Sequence, residues 1–138
     1  MSSLAAIVIR CRDPYVAGPF WATALGVPPV EEDRAKLAAR GLEPGESILL
    51  RDPAGVRADV WVTPLPDGGP AAPHDALVHL DLQLDDQAEL DALLAAGAVV
   101  RSTVEGERPW TVLASPDGIV FCARHHVSDS HPPATAPG

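Results

Sequence analysis

Residues 6–13 read Ala-Ile-Val-Ile-Arg-Cys-Arg-Asp, and residues 79–86 read His-Leu-Asp-Leu-Gln-Leu-Asp-Asp. Each is a short apolar or alternating run that ends on an acidic residue, the pattern of a strand leading into a helix start. Downstream of both, the same order recurs. Asp13 is placed to cap a helix with Pro14 in its first turn, and Val16, Phe20, Ala24 and Leu25 recur at helical spacing before Gly26, with an irregularity expected at Gly18-Pro19. Asp86 is placed to cap a second helix in which Leu90, Leu93 and Leu94 form the buried stripe and Gly97 the stop. Leu49-Leu50-Arg51-Asp52-Pro53-Ala54-Gly55 then lies over Val112-Leu113-Ala114-Ser115-Pro116-Asp117-Gly118, each a strand entering a turn with Pro at the bend and Gly where φ turns positive. Strands are expected over 47–51, 57–64, 77–84, 99–104, 110–114 and 119–124, and Glu31–Arg40, acidic first and basic later with Gly41 at its end, reads as a surface helix.

The repeat divides the chain into modules over residues 4–64 and 76–125, joined by a Pro- and Gly-rich linker at 65–75 and followed by a tail at 126–138 that lacks core-forming residues and is expected to be disordered. Together the modules make one domain, residues 1–125, within a chain of 138 residues. Ten Lys+Arg against nineteen Asp+Glu give a formal charge of −9, a field that repels phosphate backbones and anionic lipid surfaces, so neither nucleic acid nor membrane is an expected partner. No apolar stretch approaches the ~20 residues that span a bilayer, and no secretory signal opens the sequence. Two cysteines in apolar segments, Cys11 and Cys122, fit a cytoplasmic protein with reduced thiols.

The duplicated strand–helix–three-strand pattern resembles the vicinal oxygen chelate superfamily, which includes glyoxalase I, bleomycin-binding resistance proteins and extradiol dioxygenases. Within it the chain is most similar to small glyoxalase-like proteins of actinobacteria. The resemblance rests on Asp13-Pro14 followed by Phe20-Trp21 and Leu25-Gly26, on Val78-His79-Leu80-Asp81-Leu82, on Ala96-Gly97-Ala98, and on Ser115-Pro116-Asp117-Gly118 leading into Phe121-Cys122. It implies an α+β fold: two tandem βαβββ modules forming a curved mixed sheet around a cleft, with the helices outside. It also implies pairing into a homodimer. The superfamily's four metal-ligand positions, usually His or Gln, Glu, His and Glu, fall here on Ala6, Asp59, His79 and Cys122. Ala6 has no donor atom, so no metal cofactor is favoured; a divalent Zn, Ni, Fe or Mn ion, if present, would be held by Asp59, His79 and Cys122.

Strand parity selects the remaining candidates. His79, Asp81 and Gln83 share one face of their strand, opposite Val78, Leu80, Leu82 and Leu84. His79 is therefore the expected catalytic residue, as ligand-binding group or general base, the alternative being a histidine hydrogen-bonded to Asp81 or a backbone carbonyl. Asp59, Trp61, Asp81, Trp110 and Cys122 join it as ligand-binding candidates, the tryptophans as stacking surfaces or as packing residues. Arg10 and Arg124, on the cleft faces of the first and last strands, would bind a carboxylate or phosphate, or pair with Asp59 or Asp81. Cys122 is a nucleophile or a buried apolar thiol, whereas Cys11, of opposite parity to Ala6, Val8 and Arg10, belongs against the helices. His125, His126 and His131 lack partners at ligand spacing and carry at most adventitious metal. Loop residues 67–74 and 105–108 are expected to shape the cleft mouth. The expected function is binding of a small organic molecule without the usual four-ligand metal site; the alternative is a lyase, isomerase, hydrolase or dioxygenase-like enzyme using His79 with a divalent metal.

Overall fold

The computed structural model describes residues 2–66 and 77–125. The linker residues 67–76 and the tail 126–138, with the loop at 67–74 and His126 and His131, lie outside the described residues. Seven strands and three helices follow in the order β1 (Ser3–Cys11), α1 (Pro14–Leu25), α2 (Glu31–Ala39), β2 (Ile48–Leu50), β3 (Asp59–Pro64), β4 (Val78–Leu84), α3 (Gln87–Ala95), β5 (Val99–Val104), β6 (Trp110–Ala114) and β7 (Val120–His125). The chain is α+β and divides into two compact units, residues 6–78 and residues 79–138 together with 1–5.

In the first unit β1 runs parallel to β3, with Ala6 opposite Asp59, Val8 opposite Trp61 and Arg10 opposite Thr63, and β2 pairs antiparallel on the other side of β3. Ile9, Cys11, Val27, Ile48, Leu50, Val60 and Val62 form the core on one face, against which Ala17, Trp21, Ala22 and Leu37 of the helices pack. Cys11 thus takes the core position that parity assigns it, whereas the expected helical stripe of Val16, Phe20, Ala24 and Leu25 faces solvent, because α1 packs through Ala17, Trp21 and Ala22 instead. Asp13 caps α1 by accepting the Tyr15 N–H at 2.9 Å, and Gly26 ends it in the left-handed region at φ 68°. The helix runs unbroken through Pro19, contrary to the expected irregularity, because tertiary packing holds that turn: Gly18 is buried so close to β2 that a Cβ there would stand 2.7 Å from Ile48 Cδ1. The left-handed residue that ends α2 is Arg40, φ 51°, and not Gly41; its guanidinium lies 4.2 Å from the centroid of the Tyr15 ring, a cation–π contact that helps hold this conformation.

The first unit departs from the βαβββ pattern at Val27–Val30. Where a third strand would lie, the contact with β2 is a single bridge, Pro29 to Leu50, flanked by bonds from Val30 N–H to Leu49 O and Arg51 N–H to Pro28 O. Pro28 and Pro29 have no N–H to donate to a ladder, so the pairing cannot extend. A side chain completes it: the Asp33 carboxylate, buried, accepts the Leu49 N–H at 2.7 Å.

The second unit follows the pattern in full. β4 runs parallel to β7, β7 antiparallel to β6, and β6 antiparallel to β5. Asp86 caps α3 by accepting the Glu89 N–H at 3.0 Å, while the Glu89 carboxylate accepts the Asp85 N–H, a reciprocal cap. Gly97, at φ 110°, is required twice over, since a Cβ there would also meet Pro116 Cγ at 2.8 Å. Leu84, Leu113 and Ala123 form the core, with Leu90, Leu93 and Phe121 packed on it. Leu94, expected in the buried stripe, is more than a third exposed instead. Val78 and Leu80 are exposed as well, because the packing of nine-residue α3 reaches Leu84 and stops there.

Candidate functional site

Ladder register sorts every candidate side chain onto a face. In the first unit Ala6, Val8, Arg10, Asp59, Trp61 and Thr63 share the face opposite the helix-packed core. In the second, Asp81 stands opposite Cys122, Cys122 opposite Val112, and Arg124 opposite both Gln83 and Trp110, while Leu84, Leu113 and Ala123 take the α3 side. His79 follows by parity. All eight residues singled out from the sequence therefore lie on helix-free faces, three in the first unit and five in the second.

The two faces differ in chemistry. On the first, Ala6 and Val8 have no exposed surface, and Asp59 is engaged by Arg51 through two hydrogen bonds, Nε to Oδ1 at 3.0 Å and Nη2 to Oδ2 at 2.8 Å. This bidentate pair draws the Arg51 pKa upward. Ser47 and Thr63 share a hydroxyl–hydroxyl bond of 2.9 Å, and Arg10 is buried with Trp61 half-buried.

On the second face, buried groups converge. His79, Asp81 and Cys122 are all buried, and one donor atom from each lies within 4.8 Å of the other two. His79 Nε2 stands 3.2 Å from Asp81 Oδ1, and Arg124 Nη2 reaches Asp81 Oδ2 at 3.4 Å. The family resemblance groups His79 and Cys122 with Asp59 as the ligands of a metal, if one is present; the structure groups them with Asp81, and Asp59 is held by Arg51. Both ring nitrogens of His79, Asp81 Oδ1, Arg124 Nε and Trp110 Nε1 are buried without a hydrogen-bond partner among the described residues. Unsatisfied polar atoms at this density are uncommon in a native interior. The Arg124 side chain, 26% exposed, is where this cluster meets solvent.

Among the described residues, the other cysteine and histidine lie on the helix-packed faces. Burial first, and the Asp13 charge next, push the Cys11 thiol above its ordinary pKa, which leaves it protonated and unreactive in the core. His125 Nε2 bonds Thr111 Oγ1 at 2.7 Å on the α3 side of the sheet.

One feature escaped sequence reasoning. Asp33 reads as an ordinary acidic first-turn residue of α2, yet it is buried and its pKa is raised, by burial above all. No local signal marks it: Pro28-Pro29 remove two N–H donors but keep their carbonyls, of which Pro28 O accepts from Arg51, so the Leu49 N–H that Asp33 receives is set by tertiary pairing alone.

A family model described as a glyoxalase-like domain matches residues 6–124. No curated protein matches the chain. Among solved structures, a hypothetical protein from Bacillus halodurans is 12% identical with a TM-score of 0.60, covering 95% of this chain and 99% of its own. A glyoxalase/bleomycin resistance protein/dioxygenase superfamily member from Vibrio splendidus is 14% identical with a TM-score of 0.54, covering 91% and 100%. A methylmalonyl-CoA epimerase from Streptomyces coelicolor is 15% identical with a TM-score of 0.53, covering 94% and 98%. At such identities these structures share the fold. No helix among the described residues is long and apolar enough to cross a membrane.

Proposed function

The chain belongs to the glyoxalase-like domain family, and from that premise we propose that it binds a small organic acid on the helix-free face of its second unit. The observation that carries this reading is the Arg124–Trp110 pair. The two residues stand opposite each other in register, Arg124 is partly exposed, and Arg124 Nε and Trp110 Nε1 lack acceptors. A guanidinium beside an indole offers a carboxylate two N–H donors and an apolar group a stacking surface. His79, Asp81 and Cys122 back this pair from within. In the first unit the same reading makes Arg10, Asp59 and Trp61 ligand-facing.

The superfamily's four metal positions do not fit a metal here. Ala6 supplies no donor, and both oxygens of Asp59 are bonded to Arg51. The function proposed therefore uses no step through that set. Pairing of two copies is part of the proposal, supported by the exposed Val16 and Phe20 on α1, and so is a reducing cytoplasmic setting, supported by two cysteines outside any disulfide.

A second reading, an enzyme with His79 as general base, is supported by the 3.2 Å approach of Asp81 to His79 Nε2, which would orient the ring. A thermal-shift panel of small carboxylic acids and their amides, run in EDTA, tests the first reading. Carboxylates are expected to stabilise the protein and amides to fail, with Arg124→Gln abolishing the shift. Equal shifts from acids and amides would overturn it. Turnover of a binding acid, lost in His79→Gln with binding retained, would establish the second.

A further inference from the structure

An acid that docks on the second unit's helix-free face leaves the charges there unbalanced, and the imbalance narrows the ligand. Resting on the acid-binding reading, we propose that the ligand is a free α-amino acid, held as a zwitterion with its carboxylate on Arg124 and Trp110 and its ammonium on Asp81.

Charge counting supports it. Arg124 Nη2 lies 3.4 Å from Asp81 Oδ2, so this guanidinium already faces a carboxylate whose side chain has no exposed surface. Burying a charge without hydrogen bonds is costly. Neither ring nitrogen of His79 has one among the described residues, so the imidazole enters the count as a neutral group. A simple carboxylate on Arg124 sets two anions against one cation at a place largely closed to water, an arrangement that leaves one buried charge without compensation. An ammonium on the same ligand restores the balance. Guanidinium, ligand carboxylate, ligand ammonium and Asp81 then alternate in sign.

The unmet hydrogen bonds support it independently. Arg124 Nε and Trp110 Nε1 are buried donors without acceptors, and Asp81 Oδ1 is a buried acceptor without a donor, all among the described residues. A complementary ligand presents acceptors at one end and a donor at the other. Carboxylate oxygens meet the first need and an ammonium the second. Asp81 is free to take it through Oδ1, because Arg124 approaches Oδ2.

Spacing selects the class of amino acid. Arg124 and Asp81 are in contact, so the two poles of the ligand must stand as close as one intervening carbon places them, which favours an α- over an ω-amino acid. Peptides separate the two charges further still. Trp110 stands opposite Arg124 in register, which offers the indole as a surface for the amino acid's side chain. The Arg124 side chain, 26% exposed, marks the side of entry.

The test is calorimetric titration of the full chain in EDTA with matched probes. The amino acids are L-phenylalanine, L-leucine and L-glutamate; the deaminated acids are hydrocinnamate, isocaproate and glutarate; the amines are phenethylamine and isoamylamine, with γ-aminobutyrate as the ω-amino acid. At least one amino acid is expected to bind about tenfold or more tightly than its deaminated acid, the worth of one charge-assisted hydrogen bond. The amines and γ-aminobutyrate should be weaker again. A deaminated acid that binds as tightly as its amino acid overturns the zwitterion and leaves the acid-binding reading standing; if no probe binds, both fall. Asp81→Asn keeps an acceptor and removes the charge, so it should erase the preference while binding of the deaminated acid is kept or strengthened. A preference that survives in this variant overturns the role of Asp81. Where circular dichroism shows that Asp81→Asn does not fold, N-acetyl amino acids supply the same readout on the unmutated chain. They keep the carboxylate and lose the ammonium, so affinity equal to that of the free amino acid overturns the proposal, and affinity reduced to that of the deaminated acid supports it.

Discussion

The two units begin from one strand–helix grammar and end with opposite interiors on their helix-free faces. Aligning the helix caps Asp13 and Asp86 sets Ala6 over His79 and Val8 over Asp81; aligning the hairpin turns sets Asp59 over Cys122. Yet Asp59 pairs across the ladder with Ala6, whereas Cys122 pairs with Asp81, the counterpart of Val8. The parallel ladders of the two units are therefore two residues out of step. A shift of two preserves which face each side chain takes and changes which neighbours meet. In the first unit it leaves an alanine and a valine in a dry face; in the second it sets a carboxylate beside a thiol with an imidazole two residues away. The repeat supplies the scaffold, and residue identity together with register decides which polar side chains meet on each face.

The largest expected effect tests whether the two cores are equivalent. Leu50→Ala in the first and Leu113→Ala in the second each delete a fully buried leucine and should cost about 2–5 kcal/mol by chemical denaturation. The first core is broader and covered by two helices, so its cavity has more neighbours able to relax into it. A larger loss for Leu113→Ala is the expected order.

Replacing the chemical face by the inert one should act in the other direction. The double variant His79→Leu/Asp81→Val replaces the buried polar pair by apolar side chains of closer volume, an exchange that is commonly neutral or stabilising by about 1–4 kcal/mol. Stability retained with ligand binding lost would show that the cluster exists for function. A loss of several kcal/mol would make it structural and break the comparison.

Asp33 has no counterpart in the second unit, where β5 supplies a complete strand. Asp33→Ala orphans the buried Leu49 N–H and should cost about 1–3 kcal/mol; Asp33→Asn keeps an acceptor and should cost far less. The folded-state pKa of Asp33 is raised, so the folded protein binds its proton more readily than the unfolded chain. Its contribution to stability is therefore greatest in acid and lost as pH rises through that pKa, opposite in sign to Glu46 and Asp52, whose lowered values give stability lost as pH falls. The stability of Asp33→Asn relative to the unmutated chain should be highest near neutral pH and fall on acidification; a pH-independent difference would contradict the buried charge.

The smallest effect concerns the caps. Asp86→Ala and Asp13→Ala should each cost about 1 kcal/mol, with Asp86 the larger because its cap is reciprocal with Glu89. Equal losses would show that the Glu89 half of the box contributes nothing.

Much of this was legible in the sequence. Alternation in residues 79–84, the acidic caps and the two Pro-Gly turns placed the strands and the face of every candidate residue, because side-chain parity is a local property of an extended chain. Parity already set Asp81 beside His79 on one strand face, but the place of Cys122 was not legible. The family resemblance grouped it with Asp59, and only pairing register, set by contacts between residues far apart in the chain, put it opposite Asp81. Asp33 escaped for the same reason, since its acceptor role depends on a strand edge sixteen residues away.

The sequence by itself determined the repeat, the helix starts and stops, and the orientation of side chains along each strand, all of which follow from propensities within a few neighbouring residues. The tertiary structure decided how far α3 covers its sheet, where Pro28-Pro29 interrupts a ladder, and which buried donors converge. Those outcomes depend on long-range pairing and packing, where a displacement of two residues leaves every local pattern intact and changes the chemistry of a face.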